Sequence, residues 1–225
     1  MKTLQIIMAA LCMILAAGCT QNGQNRQAGK AEQKGLPTQS TNTENSNAVI
    51  ETIMARRSIR KYKQVPVSRD TLDLILKCGI NAPNGQNKQS WEVRVIDDPE
   101  LMNELKEAIA KGHPDIPANA VKGCFRDAPV VLFIARDPSY PFSAYDCGLL
   151  SENIMLSAWS LGVGSICLGM PVRMMTDNEA CKPYIEKLGF SEGYEFCLCI
   201  GLGYADEAPD AKPRNADKVK YIDKL

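Results

Sequence analysis

The sequence Arg56-Arg57-Ser58-Ile59-Arg60-Lys61-Tyr62, followed by Lys63, gathers five cationic residues into eight positions. An apolar pattern directly before it predicts a short helix over residues 50–56. Cations at a helix C-terminus can be solvent-exposed side chains that interact favourably with the helix dipole. The alternative is an oxyanion clamp, because guanidinium donors close to a hydroxyl suit a phosphate monoester.

The charge balance of the chain argues against nucleic acid as the partner of this cluster. The 225 residues include 26 basic and 26 acidic side chains, and from Ala48 onward 22 basic residues face 24 acidic ones. Nucleic-acid-binding surfaces usually combine net positive charge with stacking aromatic side chains. No aromatic ladder accompanies the cluster, so we expect no nucleic-acid partner.

The N-terminal sequence predicts export. Lys2 precedes an uncharged stretch from Thr3 to Ala17, which is short for a bilayer span and suits a secretory signal. Small residues then lead to Cys19, and the segment resembles a bacterial lipoprotein signal. The resemblance implies removal of residues 1–18 and a lipid anchor at Cys19, with a plain cleaved signal peptide as the alternative. We therefore expect a membrane-anchored lipoprotein on the periplasmic or cell-surface side.

The domain boundary is predicted at residue 48. Residues 19–47 comprise the candidate lipidated cysteine and a stretch rich in Gln, Asn, Ser and Thr. Such a composition cannot bury enough apolar surface to offset its ordering entropy, so it predicts a disordered tether. Residues 48–225 are left as one folded domain.

Periodicity and capping signals predict an α+β fold for this domain. Helices are expected over residues 68–78, 98–112 and 143–161, and Ser143 with Asp146 resembles a capping box at the start of the last one. Strands are expected over residues 91–96, 130–135 and 194–200, the first and third of them half-exposed or at an edge. Helices interleaved with few strands favour an α+β fold or a mixed sheet over a doubly wound parallel sheet.

Several kinds of chemistry are excluded or disfavoured by the inventory of residues. The only histidine, His113, lies in a His-Pro turn and is expected to face solvent, so a His-rich metal site or a histidine-based triad is not expected. Gly162-Val163-Gly164 and Gly201-Leu202-Gly203 lack the strand, helix and third glycine that a dinucleotide-binding fingerprint requires. The sequence also contains no Walker motif.

Seven cysteines fall within the predicted domain, and most are expected to be small buried apolar residues. They are Cys78, Cys124, Cys147, Cys167, Cys181, Cys197 and Cys199. Alternation along a strand places Cys197 and Cys199 on one face, without the spacing of a metal site. A disulfide between some pair is the alternative, and the sequence does not choose which.

Four separated motifs resemble the FMN-dependent nitroreductase family across the whole predicted domain. The cationic segment is similar to the family's Arg-x-Ser-x-Arg/Lys-x-aromatic motif, which holds the flavin phosphate and ribityl chain. Residues 82–91, Ala-Pro-Asn-Gly-Gln-Asn-Lys-Gln-Ser-Trp, are similar to the family's Ala-Pro-Ser-x-x-Asn-x-Gln-Pro-Trp loop, which reaches the flavin of the partner subunit. Asn84 and Ser90 depart from that pattern.

The other two motifs lie further along the chain. The stretch from Asp146 to Gly169 is similar to the long dimer helix of the family and the strand after it, where a backbone amide near Gly169 bonds flavin N5. Lys212-Pro213-Arg214 matches a Lys-x-Arg pair that returns to the phosphate. The resemblance thus implies these FMN-binding residues: Arg56, Arg57, Ser58, Arg60, Pro83, Asn84, Gly85, Asn87, Gln89, Leu168, Gly169, Lys212 and Arg214.

The activity implied by this resemblance is that of an FMN-dependent oxidoreductase that works as an intertwined homodimer. The implied fold is nitroreductase-like α+β, with a central, mostly antiparallel mixed sheet flanked by helices. Hydride would pass from a donor to flavin N5 and then to a nitro, quinone or related acceptor in ping-pong turnover, with no catalytic side chain and no metal. Residues 140–145 and 113–125 are expected to border the substrate pocket, with Asn119 and Lys122 near the flavin ring.

Predicted export conflicts with NAD(P)H as the electron donor, because NAD(P)H is a cytoplasmic pool. Three hypotheses therefore stay open from the sequence. The chain reduces nitro or quinone acceptors with NAD(P)H or another donor; it is a dehalogenase-like or flavin-transforming member of the same superfamily; or it is an exported lipoprotein that only binds a flavin or another phosphorylated ligand.

Overall fold

The computed structural model describes residues 47–222. The predicted signal peptide, Cys19 and the tether up to residue 46 lie outside the described residues. Within the described part, the helices are α1 (Ala48–Ala55), α2 (Arg69–Ile80), α3 (Pro99–Gly112), α4 (Ala118–Lys122), α5 (Ser143–Ser160), α6 (Met170–Thr176) and α7 (Lys182–Leu188). The strands are β1 (Trp91–Ile96), β2 (Val130–Arg136), β3 (Gly164–Leu168) and β4 (Glu195–Gly203).

The predicted caps position two of the helices. Ser68 Oγ accepts a hydrogen bond from the Thr71 amide at 3.2 Å and begins α2. The Asp98 carboxylate accepts from the Glu100 amide at 2.8 Å, and Pro99 occupies the first turn of α3. Each cap satisfies an amide that the helix itself leaves without a partner.

The four strands form one antiparallel sheet in the order β1-β2-β4-β3. The α+β prediction is therefore confirmed. Helices α2 and α5 cover one face of the sheet, where Leu150 and Ile154 pack on Leu132 and Ile200. Helices α3, α6 and α7 cover the other face. Burial of a large aliphatic side chain contributes roughly 1.5–3 kcal/mol, so both layers stabilise the sheet.

The structure corrects the predicted start of α5. Phe142 precedes the first helical residue, and no side chain caps the helix there. Ser143 is already inside the helix and buried. The Asp146 carboxylate turns away from the helix end and accepts hydrogen bonds from Gly85 and Ser90. The capping-box prediction was wrong because this acidic side chain serves a distant loop.

Of the two alternatives for the third predicted strand, half-exposed or at an edge, the structure supports the first. β4 pairs with β2 on one side and β3 on the other. β3 pairs only with residues 199–203 of β4. The first four residues of β4 therefore have no neighbouring strand on that side, and they are more exposed than the rest of the strand. The half-exposed pattern of β4 is therefore caused by the shortness of β3 and not by an edge position.

His113 is half-buried, contrary to the expectation of a solvent-facing residue. It ends α3, and its Nε2 lies 2.9 Å from the carbonyl oxygen of Met174 in α6. A carbonyl only accepts hydrogen bonds, so Nε2 carries the proton in this contact. The side chain thus links the end of α3 to α6.

Candidate cofactor site

The cationic segment is held along one edge of the sheet. The Ile59 amide donates to the carbonyl of Ser165 in β3 at 3.0 Å, and the Lys63 amide donates to the Tyr204 carbonyl, just after β4, at 2.9 Å. Ile59 and Tyr62 are buried in the core. Burial raises the pKa of the Tyr62 hydroxyl well above its ordinary value. These two anchors fix the backbone of the segment and leave Arg60 and Lys61 between them exposed.

Residues from the two ends of the domain meet in a cleft of about 130 Å³, which we call the cationic cleft. Its lining consists of Arg56, Arg57, Ser58, Arg60, Pro209, Asp210, Lys212 and Arg214. The six residues predicted to bind phosphate are therefore brought together in one place. Asp210 supplies the single carboxylate of the lining, against five cations, so the cleft favours an anion.

The arginines of the cleft are held to different degrees. Arg56 Nε lies 3.7 Å from Glu152 Oε1 in α5, and it is buried with no hydrogen-bond partner among residues 47–222. Arg57 instead donates to the carbonyls of Met54 and Arg56, both at 2.8 Å. Arg57 therefore satisfies the C-terminal end of α1, whereas Arg56 keeps a donor available.

A second cleft of about 470 Å³, the ring cleft, shares Arg60 with the first. Leu168 and Gly169, at the end of β3 and the start of α6, form part of its wall as expected. The remaining lining is Ile116, Ala120, Gly123, Cys124, Arg126, Ile166, Cys167, Met170 and Met174. The two clefts thus offer adjoining places for an anionic group and a flat apolar one.

The residues of segment 113–125 that line the ring cleft differ from those expected. Asn119 does not line it, and its side chain accepts from the adjacent Ala120 amide at 3.0 Å. Lys122 does not line it either and pairs with Glu107 in α3. Helix α4 turns their neighbours toward the cleft, which a sequence without a helical pattern in this segment could not indicate.

Sequence reasoning missed two methionines and an arginine of the ring cleft. Met170 and Met174 lie one turn apart on α6, and this spacing was the available signal for a shared helix face. Arg126 lies in the left-handed region, with φ of 59°, just after a 3₁₀ turn. No pattern in the sequence indicates that turn.

The five loop residues predicted to bind flavin lie apart from both clefts. Pro83, Asn84, Gly85, Asn87 and Gln89 contribute to neither lining. The Gly85 amide donates to Asp146 Oδ1 at 3.0 Å, and the Ser90 hydroxyl donates to Asp146 Oδ2 at 2.8 Å. Asp146 is 2% exposed and has these two partners from one loop. The carboxylate therefore fixes both ends of the loop from behind.

The loop is also shaped by its own backbone. Gln86, Asn87 and Gln89 have positive φ values of 55°, 54° and 49°. Gly85 leaves space for the hydroxyl of Tyr140, which a Cβ at this position would strike. The side chains of Gln86, Asn87 and Gln89 are thus exposed on a strained backbone.

Comparison with known proteins identifies the family of this chain. The model of the Nitroreductase family matches residues 53–204, from the last turns of α1 to just beyond β4. The chain belongs to the nitroreductase family.

Solved members of the nitroreductase family have the same fold. A nitroreductase with bound FMN from Desulfitobacterium hafniense DCB-2 superposes with a TM-score of 0.71 at 30% identity, covering 80% of this chain and 100% of that one. One from Bacteroides fragilis NCTC 9343, also with bound FMN, has a TM-score of 0.71 at 26% identity, covering 79% and 100%. The NADPH-flavin oxidoreductase of Vibrio harveyi is 30% identical over 175 residues, which is 75% of this chain and 70% of that protein.

The described residues show neither a metal-type cluster nor a membrane-spanning helix. In residues 47–222, no three His, Cys, Asp or Glu side chains are grouped so that they could hold a metal ion. None of the helices in this part of the chain is long and apolar enough to cross a membrane.

Proposed function

We propose that this member of the nitroreductase family binds FMN, with the phosphate in the cationic cleft, and reduces a small organic acceptor such as a nitro compound or a quinone. The main support is that two segments far apart in the sequence line the same cleft, next to the ring cleft. One segment contributes Arg56, Ser58 and Arg60, and the other contributes Lys212 and Arg214. The solved structures similar to this chain contain FMN, and the Vibrio harveyi relative is an NADPH-flavin oxidoreductase.

The residues of the cationic cleft fit the phosphate of FMN. Arg56 Nε is a buried donor without a hydrogen-bond partner in the described chain, and a phosphate oxygen would satisfy it. The Ser58 hydroxyl, Lys212 and the Arg214 guanidinium add donors to the same space. Hydrogen bonds from charged donors are shorter and stronger than neutral ones, so a dianion is the ligand that this set favours.

The ring cleft fits the flat part of the same ligand. Leu168, Ile116 and Met174 offer apolar walls, and Gly169 lies at the turn between β3 and α6. Bound FMN would supply the two-electron hydride chemistry. The chain's own residues would bind and orient it, exclude water from one face and leave the other open to substrate. None of these tasks requires a nucleophilic side chain, which agrees with a chain that has a single histidine.

The proposal includes a homodimer. Helix α1 exposes Val49, Ile50, Ile53 and Met54, by 65%, 59%, 50% and 71%. Helix α5, which contacts α1, exposes Tyr145 by 70%. Apolar exposure on two adjoining helices marks an association surface. A second copy of the chain covering it would give the loop of residues 82–91 a flavin to contact, as the motif resemblance implies.

We extend the proposal to the cell location and the electron donor. The sequence of residues 1–18 and Cys19 supports export and lipid anchoring. An anchored enzyme outside the cytoplasm would take its electrons from a donor other than free NAD(P)H. Mass analysis of the mature N-terminus tests the anchor, because lipidation adds acyl mass to Cys19 and a plain cleaved signal does not.

A spectral assay tests the activity. The purified full chain should show the flavin absorbance bands, lose them under anaerobic addition of a reduced donor, and regain them when a nitroaromatic or quinone is added. NADH, NADPH and a reduced low-potential dye are the donors to compare. A protein that binds FMN but is never reoxidised by either acceptor would contradict the proposed reaction. A colourless protein that takes up no FMN would contradict the proposed cofactor as well.

A further inference from the structure

Two of the seven domain cysteines lie together in the layer between α5 and the sheet. Cys147 is fully buried on α5, and its Sγ is 3.8 Å from the carbonyl oxygen of Ala135 in β2. Ala135 pairs with Phe196 of β4, which directly precedes Cys197. Cys147 therefore lies above the part of the sheet that contains Cys197.

A β-bulge turns Cys197 toward Cys147. The register of β2 and β4 shifts there: Ile134 pairs with Leu198 and Ala135 with Phe196, so Cys197 has no residue opposite it. Such an extra residue breaks the alternation of side chains. Cys197 consequently packs with the α5 layer, whereas Cys199 packs in the opposite layer. The expectation that both lie on one face was wrong because of this bulge.

The two thiols lie in the same packed cluster between α5 and the sheet, and both are free in this structure. The neighbouring Cys147 thiol, together with Arg136, lowers the pKa of the Cys197 thiol. The neighbouring Cys197 thiol, together with burial, raises the pKa of Cys147. Cys197 is half-buried and Cys147 is not exposed, so Cys197 is the one that a reagent can reach.

We infer that Cys147 and Cys197 are a thiol pair that closes to a disulfide between α5 and β4 under oxidising conditions. The oxidant would be a small-molecule disulfide. The Cys197 thiolate attacks one sulfur of that disulfide and releases one thiol. The Cys147 thiolate then attacks the mixed disulfide at Cys197 and releases the second thiol. The protein loses two electrons and two protons, and the reagent gains them.

The pair has a rival in Cys167. Cys167 lies on β3 and is exposed. Partial burial and the nearby Cys197 thiol raise the pKa of the Cys167 thiol. Cys167 does not belong to the cluster between α5 and the sheet that contains Cys147 and Cys197, and it lines the ring cleft. The inference requires that Cys147, although buried, is chosen over this more accessible neighbour. It does not depend on flavin binding, so it can fail or succeed separately from the proposed function.

Peptide mapping of the full chain tests the pair. The purified protein is incubated with oxidised glutathione, its remaining thiols are alkylated under denaturing conditions, and the digest is analysed without reduction. We expect the peptide of Cys147 joined to that of Cys197, at a mass lower than their sum by two hydrogen atoms. A Cys167–Cys197 link, a stable glutathione adduct on Cys197, or two fully alkylated thiols would each overturn the inference.

Thermal unfolding gives a second readout with matched variants. Closing the link constrains the unfolded chain, so the oxidised wild-type protein should melt several degrees above its reduced form. Cys197→Ser should abolish that difference, and Cys78→Ser, which removes a thiol from α2, should retain it. Equal melting temperatures for the oxidised and reduced wild type, or a difference that persists in Cys197→Ser, would overturn the inference.

Discussion

The cationic cleft and the loop of residues 82–91 contain most of the residues that the sequence assigns to one ligand, but the chain builds them differently. The cleft is complete within one chain, because Arg56 to Arg60 and Lys212 to Arg214 converge on the same space. The loop lines neither cleft, and Asp146 holds it from behind with both carboxylate oxygens.

This difference separates what one chain can do from what requires a second copy. In our proposal the phosphate has all its partners in the cleft of a single chain, so initial capture of FMN should not depend on dimerisation. The loop has a fixed shape and outward polar groups, but its function in our proposal begins only when a partner's ring cleft faces it.

The largest effect is expected in the cationic cleft. Arg56→Ala and Arg214→Ala each remove a charged donor to the phosphate, which is worth about 1.5–3 kcal/mol, or roughly a 10- to 150-fold loss of FMN affinity. Fluorescence titration of FMN into each apo variant measures it. Arg69→Ala is the control, because Arg69 pairs with Asp97 outside the cleft. Normal affinity in both cleft variants would place the phosphate elsewhere.

A smaller effect is expected at the support of the loop. Asp146→Ala leaves the Gly85 amide and the Ser90 hydroxyl without their acceptor, which should lower the free energy of unfolding by about 1–3 kcal/mol. Urea denaturation measures this loss. Asp137→Ala is the matched control, since its carboxylate also accepts two bonds, but from Ser139 in an exposed turn.

The same variant distinguishes the loop from the cleft. In the monomeric fraction, Asp146→Ala should leave FMN affinity close to that of wild type, because the cleft residues are untouched. In the dimer the affinity should fall. Equal loss of affinity in both fractions would mean that the loop supports the cleft within one chain. The loop would then not require a second copy of the chain for its function.

The smallest effect concerns the carboxylate inside the cleft. Asp210→Asn removes the negative charge from the lining and should tighten FMN binding by about 0.2–1 kcal/mol, an improvement of a few-fold that salt reduces. Asp206→Asn, in the same exposed stretch but outside the lining, is the control. Weaker binding of FMN by Asp210→Asn would indicate that Asp210 organises the cations instead of repelling the phosphate.

Local sequence signals predicted the parts of the molecule that local physics determines. Ser68 and Asp98 cap their helices because the capped amides lie two or three residues away. Alternating or continuous apolar residues gave the bounds of β1 and β2 within one residue. The resemblance to the family's motifs, and not local physics, predicted that Lys212 and Arg214 serve the same ligand as the cationic segment, and the structure places both in one cleft.

The parts that the sequence did not predict depend on contacts between distant residues. Asp146 looks like a capping residue until Gly85 and Ser90 are placed beside it. Cys197 leaves the face expected from alternation because β2 and β4 shift register. No local pattern encodes a bulge or the length of β3, and both follow from how whole strands fit together.

The central claim, that the cationic cleft holds the phosphate of FMN, is tested most directly by comparing FMN with riboflavin, which has the same ring and ribityl chain but no phosphate. Titrating both into the apo wild type and the Arg56→Ala/Arg214→Ala double variant gives the phosphate's contribution in each. We expect the wild type to prefer FMN strongly and the double variant to lose most of that preference while riboflavin binding is unchanged. Equal affinity of the wild type for FMN and riboflavin would contradict the claim.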